Sequence, residues 1–207
     1  DAVRIRTPEE VQAIAEWCVD NLGNGLVGLG LGGTEIGYPA APHAAAITFA
    51  RERGARISLH AGETVGPESV WDALNSGAER IGHGVTSVQD PDLVKHLAET
   101  GTVLEVSPTS NICLGVSTSY GEHPIRALCD AGVPVTVNTD DPPMFDATLP
   151  GEYEALATHA GFTIDELVAI SRRAAEAAFL PDDERAALIA RFDAEIEVLR
   201  RPGEAQR

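Results

Sequence analysis

An apolar run over residues 57–59 leads into His60, and Glu63 follows three positions later across an Ala-Gly turn. At the C-terminal tip of a short buried strand, that spacing lets an imidazole and a carboxylate converge on one substrate. Two further stretches have the same form. Arg80-Ile81-Gly82-His83-Gly84 sets a histidine between glycines at a strand end, and Val135-Thr136-Val137-Asn138-Thr139-Asp140-Asp141-Pro142 ends a strand in paired carboxylates. Three strand tips therefore offer His60, Glu63, His83, Asp140 and Asp141 for proton transfer or metal ligation. Singly, each has a plainer reading: a histidine that packs or caps, an Asp-Asp-Pro turn, a carboxylate near the helix start at Pro67. Their conjunction is what singles them out.

The elements that position these tips follow from punctuation. Thr7-Pro8-Glu9-Glu10 is a helix start, with Thr7 as N-cap, Pro8 at the first helical position and Glu10 closing a capping box. Val11, Ile14, Ala15, Cys18 and Val19 then recur at helical spacing. A strand is expected over 26–31, a helix over 42–53 stopped by Gly54, and a strand over 56–60. Pro67 opens a helix with Val70, Trp71 and Leu74 inward and Gly77 at its end. The strand to His83 follows, then a helix from Asp90-Pro91 to Gly101, then a strand over Val103–Val106. Residues 107–121 read as irregular, 124–132 as a helix and 133–138 as the fifth strand. Strand and helix alternate at a step of roughly 20 to 30 residues, which predicts a parallel sheet of β/α units. Beyond Phe145 the pattern changes. Thr163-Ile164-Asp165-Glu166 is a capping box, and two helices run to about Arg200 as a closing layer, with a frayed tail over 202–207.

Composition narrows the class. The chain has 207 residues, 43% of them hydrophobic and 5% aromatic, with a formal charge of −17. That charge repels phosphate backbones and anionic lipid, so neither nucleic acid nor membrane is expected as partner. No run approaches a membrane span or a signal peptide, and a cytoplasmic setting is expected. Cys18, Cys113 and Cys129 lack C-x-x-C spacing and read as thiols rather than a disulfide or zinc framework. Gly28, Gly30 and Gly33 match the dinucleotide spacing G-x-G-x-x-G, but residues 34–39 form a loop where that fingerprint needs a helix N-terminus, and no acidic strand end follows. His43, His96, His123 and His159 have no supporting pattern and read as helix or loop residues.

The three tips together resemble the adenosine/adenine deaminase family of metal-dependent amidohydrolases. Leu31-Gly32-Gly33-Thr34-Glu35 and Leu104-Glu105-Val106-Ser107-Pro108-Thr109-Ser110-Asn111 match it too, in order, so the likeness runs over about 26–145. The resemblance implies a (β/α)8 TIM-type barrel with its site at the C-terminal strand ends. It implies His60 and Asp140 as ligands of one zinc ion, which brings the pKa of water toward neutrality. It further implies Glu63 as the acid that protonates N1 of a purine, and His83 as the group that holds the attacking water. Asp141 would meet N7 and the Gly33 N–H would meet N3, with ammonia leaving and a 6-oxopurine remaining.

The family's first strand ends in a His-x-His pair, which this sequence lacks, and a closed barrel of this type needs about 250 residues. The expectation is therefore one domain over 1–207 that forms the C-terminal five β/α units and closing helices of a longer barrel. An N-terminal segment or a second copy would complete it. By itself such a sheet would leave an edge open and an apolar face uncovered. Gly82-His83-Gly84 is similar to the adenosine branch, while residues 107–120 keep adenine and aminodeoxyfutalosine open as substrates. Two other classes compete: a purine-binding fragment without a complete metal site, and a barrel hydrolase of esters or amides. Many of the latter bridge two metals with a lysine, which has no counterpart here, since Lys95 falls in a helix.

Overall fold

The computed structural model describes residues 1–201; the tail expected to fray lies outside them. The strands are β1 (Ala2–Val3), β2 (Gly28–Gly32), β3 (Arg56–Ala61), β4 (Arg80–His83), β5 (Val103–Val106) and β6 (Val135–Val137). They form a single sheet in sequence order, every neighbouring pair parallel. The helices are α1 (Pro8–Asp20), α2 (Ala44–Glu52), α3 (Pro67–Asn75), α4 (Pro91–Thr100), α5 (Pro108–Cys113) and α6 (Ile125–Asp130), followed by α7 (Pro142–Phe145), α8 (Leu149–His159), α9 (Ile164–Glu176) and α10 (Asp182–Leu199). Sequential parallel order with helical crossovers is the arrangement of a TIM-type barrel, here present as a segment with β1 and β6 at its edges.

The caps behave as their residue types dictate. Thr7 and Thr163 close capping boxes on α1 and α9, Asp90 accepts from the amides of Asp92 and Leu93, and Gly101 ends α4 in the left-handed region. The core lies between the sheet and its helices. Ile57, Leu59, Ile81, Leu104 and Val135 are fully buried, facing Val70, Leu93, Leu97 and Leu128. Each such side chain stabilises the fold by roughly 1.5–3 kcal/mol, which locks strand register.

Four expectations need correction. A sixth strand, β1, precedes the five expected; at two residues it is too short to leave a periodic signal. Residues 107–121 include the helix α5, which Pro108 opens. The closing layer contains α8 as well as α9 and α10, with Thr148 as its N-cap. Finally, the uncovered face of the sheet is not apolar: it carries Gly28, Gly30, Gly32, Ser58, Gly82 and Glu105. On that face the Ser58 hydroxyl donates to Glu105 at 2.8 Å, and Arg80 pairs with the same carboxylate at 3.1 Å. Among the described residues no helix is long and apolar enough to cross a membrane.

Candidate active site

Alternation along β3 buries Ile57, Leu59 and Ala61 against the helices and turns His60 to the other face. The turn that follows is held by one side chain. The Glu35 carboxylate accepts from the amides of Gly62 (2.5 Å), Glu63 (3.0 Å), Thr64 (2.7 Å) and Val65 (3.2 Å), and from the hydroxyls of Thr64 (3.1 Å) and Ser69 (2.7 Å). Burial alone would raise its pKa; the Thr64 amide, the Ser69 hydroxyl and the His60 ring outweigh it and bring it to about 2. Gly62 sits at φ 68°, where a Cβ would fall 2.3 Å from Val70, so the turn needs glycine there. Behind His60, the buried Arg4 guanidinium donates to the His60 carbonyl and to that of Tyr38.

His83, the last residue of β4, and Asp140, three residues past the end of β6, lie in the left-handed region, at φ 65° and 56°. For residues with a Cβ that conformation costs about 1–3 kcal/mol each, and it swings both side chains over the strand tips. His83 Nδ1 lies 3.4 Å from Glu63 Oε1, and His83 Nε2 lies 3.9 Å from Asp140 Oδ2. His60 Nε2 is 3.6 Å from Glu63 Oε2, and the two imidazoles meet edge to face at 4.6 Å. Ser110 donates to Asp140 Oδ2 at 2.7 Å, while the Asn111 amide reaches Glu63 Oε1 at 2.9 Å and His83 Nδ1 at 3.3 Å. His123 Nε2 stands 3.1 Å from Asn111 Oδ1.

Electrostatics divide the groups by role. Burial raises the Glu63 pKa, with Asp140 and Glu35 adding to it, so this carboxyl is suited to carry a proton. Burial and the neighbouring His83 lower the His60 pKa to about 4, which leaves its ring neutral and its lone pair available. A cleft of about 1090 Å³ opens over these groups.

The structure brings His60, Glu63 and His83 together with their ligand atoms within 4.8 Å, and Asp140 against His83. Gly33, at φ 93°, and the exposed Asp141 line the same cleft. Of the histidines read as structural, His43 bonds the Arg4 carbonyl at 3.0 Å, His96 packs on Trp71, and His159 stacks on Tyr120. His123 departs from that reading, because it is buried behind Asn111 at the site. Sequence reasoning assigned no role to Glu35, Ser110 or Asn111, although all three lie inside the motif stretches. His123 carries no motif signal of its own.

A parallel β/α barrel segment whose C-terminal tips gather two imidazoles, an acidic pair and a protonated-carboxyl candidate belongs with the barrel amidohydrolases. The family model described as adenosine deaminase matches residues 2–195, and the chain belongs to that family. It is 48% identical over 186 residues to an adenine deaminase of Rhizobium rhizogenes, covering 89% of this chain and 58% of the relative. It is 46% identical over 170 residues to an aminodeoxyfutalosine deaminase of Streptomyces avermitilis, covering 82% of this chain and 48% of that protein. An amidohydrolase from Burkholderia ambifaria crystallised with bound Zn superposes with a TM-score of 0.88 at 29% identity, over 96% of this chain and 56% of the neighbour. The chain thus spans about half to three-fifths of the proteins it matches.

Proposed function

We propose that the protein to which this chain belongs removes the exocyclic amine of a 6-aminopurine by hydrolysis, with adenine itself as the leading substrate. The observation that carries this is Glu63: a buried carboxyl with a raised pKa, held between His60 and His83 in the lining of the cleft. An aromatic amine leaves only after the ring nitrogen is protonated and the ring carbon attacked, so an acid that holds its proton to higher pH than an exposed carboxyl is the indispensable part. Adenine leads because the R. rhizogenes relative carries that name; aminodeoxyfutalosine is the second reading, on the S. avermitilis relative.

In this reading Glu63 gives its proton to N1 as the water oxygen attacks C6. His83 holds the attacking water and steadies the charge developing on it, while Asp140 takes one of the water's protons. The amino nitrogen leaves as ammonia carrying one of the water's protons, and the other restores the Glu63 acid. Asp141 and the Gly33 N–H would orient the ring from N7 and N3. The donor set suits zinc: His60 is a neutral imidazole, and the Asp140 carboxylate is fixed by Ser110. His60 and Asp140 would hold the ion, which when bound supplies Lewis acidity that makes water a nucleophile near neutral pH. Catalytic zinc sites use at least three protein ligands, so the set is completed from outside this chain, in keeping with a C-terminal portion of a longer barrel.

The test offers adenine, adenosine and aminodeoxyfutalosine to the full-length protein and follows ammonia release and zinc content together. Turnover of adenine at least tenfold above the two nucleosides, by kcat/KM, is the expected result, and turnover of none of them would overturn the reading. Asp140→Ala lowers both bound zinc and rate, by about 10-fold or more. Unchanged zinc content in that variant would remove Asp140 from the ligand set.

A further inference from the structure

Behind the acid lies a chain of hydrogen bonds whose direction is fixed at its far end. The Ile125 amide donates to His123 Nδ1 at 3.1 Å, so that nitrogen carries the lone pair. A neutral imidazole then has its hydrogen on Nε2, and this ring is neutral because burial, with His83 nearby, lowers its pKa to about 4. His123 Nε2 faces one atom of the Asn111 amide at 3.1 Å, and as a donor it requires that atom to be the oxygen. The NH2 group is thereby turned the other way. It lies 2.9 Å from Glu63 Oε1 and 3.3 Å from His83 Nδ1, one acceptor for each of its two hydrogens. Asn111 and His123 are both buried, so water does not compete for these bonds.

We propose that His123 and Asn111 are positioning residues which turn the Asn111 NH2 onto Glu63 Oε1 and His83 Nδ1, leaving Oε2 to the Glu63 proton and His83 without a hydrogen on Nδ1. The Glu63 part rests on the reading of that residue as the ring-nitrogen acid. Because Oε1 already accepts from Asn111, a proton that Glu63 carries in that role takes the other oxygen, the one 3.6 Å from His60 Nε2. Because His83 Nδ1 accepts as well, its hydrogen sits on the nitrogen that points to Asp140, 3.9 Å away. The opposite amide orientation would set donor against donor at His123, whose Nδ1 is committed to the Ile125 amide.

The assignment is tested in the full-length protein by nitrogen NMR with 15N-labelled histidine, read near neutral pH. His83 and His123 are both expected as Nε2–H tautomers, and Asn111→Leu is expected to release His83 into a mixture of tautomers. His83 as the Nδ1–H tautomer in the parent, or unchanged in Asn111→Leu, overturns the proposal. In ammonia release, Asn111→Leu and His123→Leu lower kcat about 10–100-fold with KM within about threefold. His123→Gln, whose amide can still donate to Asn111, keeps kcat within about fivefold of the parent. A rise in KM alone, or loss in His123→Gln equal to that in His123→Leu, also overturns it. If no purine releases ammonia while the tautomers are as stated, the deaminase reading fails and the assignment at His83 stands.

Discussion

Glu63→Gln lowers kcat for ammonia release by about 10²–10⁴-fold while leaving bound zinc and the thermal unfolding midpoint close to those of the parent. The amide is nearly isosteric with the carboxyl and its oxygen can still accept from Asn111, at the contact that spans 2.9 Å. It cannot surrender a proton to a ring nitrogen. The buried setting of Glu63 explains why so much rests on it: burial, with Asp140 and Glu35 nearby, keeps this carboxyl protonated to higher pH than an exposed glutamate. Single-turnover kinetics with the leading substrate, alongside metal analysis and a melting curve, decides the matter. A residual rate above about one tenth of the parent's would show that the proton comes from elsewhere.

The second large effect falls on a residue with no part in the chemistry. Glu35→Leu lowers the unfolding free energy by about 3–5 kcal/mol and brings the melting midpoint down by roughly 10 °C. Leucine fills a similar volume but accepts nothing, so the amides of Gly62, Glu63, Thr64 and Val65 lose their partner together with the hydroxyls of Thr64 and Ser69. Each unsatisfied buried donor costs about 1–3 kcal/mol, and partial relaxation of the turn toward water holds the total below their sum. The turn carries Glu63, so turnover falls with stability. Glu35→Gln is expected to lie between, since its oxygen can still accept while its NH2 opposes the donors. Denaturant unfolding of the three proteins reads this out; a loss under about 1 kcal/mol in Glu35→Leu would mean that Gly62 and its neighbours hold the turn unaided.

Much of this molecule is written in local patterns. Caps such as Thr7, Asp90 and Thr163, stops such as Gly101, and the apolar runs at Ile57–Leu59 and Val103–Val106 specify β/α units, because capping and side-chain alternation act within a few residues. The same patterns put His60, Glu63, His83 and Asp140 at strand tips. Their mutual distances were not legible. Parallel register pairs His60 with Gly82 and Ala61 with His83, and that pairing follows from packing Leu59, Ile81 and Leu104 in one layer. Elements without a periodic signal were equally hidden: β1 has two residues, and α5 has only a proline start.

The sequence by itself determined which groups stand ready for acid–base and metal chemistry, since that depends on residue type and on punctuation close by. Only the tertiary structure decided what surrounds them. Glu35 reaches the Glu63 turn from 28 positions away, and Asn111 reaches Glu63 across 48, contacts that no local spacing encodes. His123 acquires its place because the chain returns to the sheet through α6 and buries it behind Asn111. The protonation states follow from the same source, because burial and the direction of a hydrogen bond belong to the folded chain and to no residue taken alone.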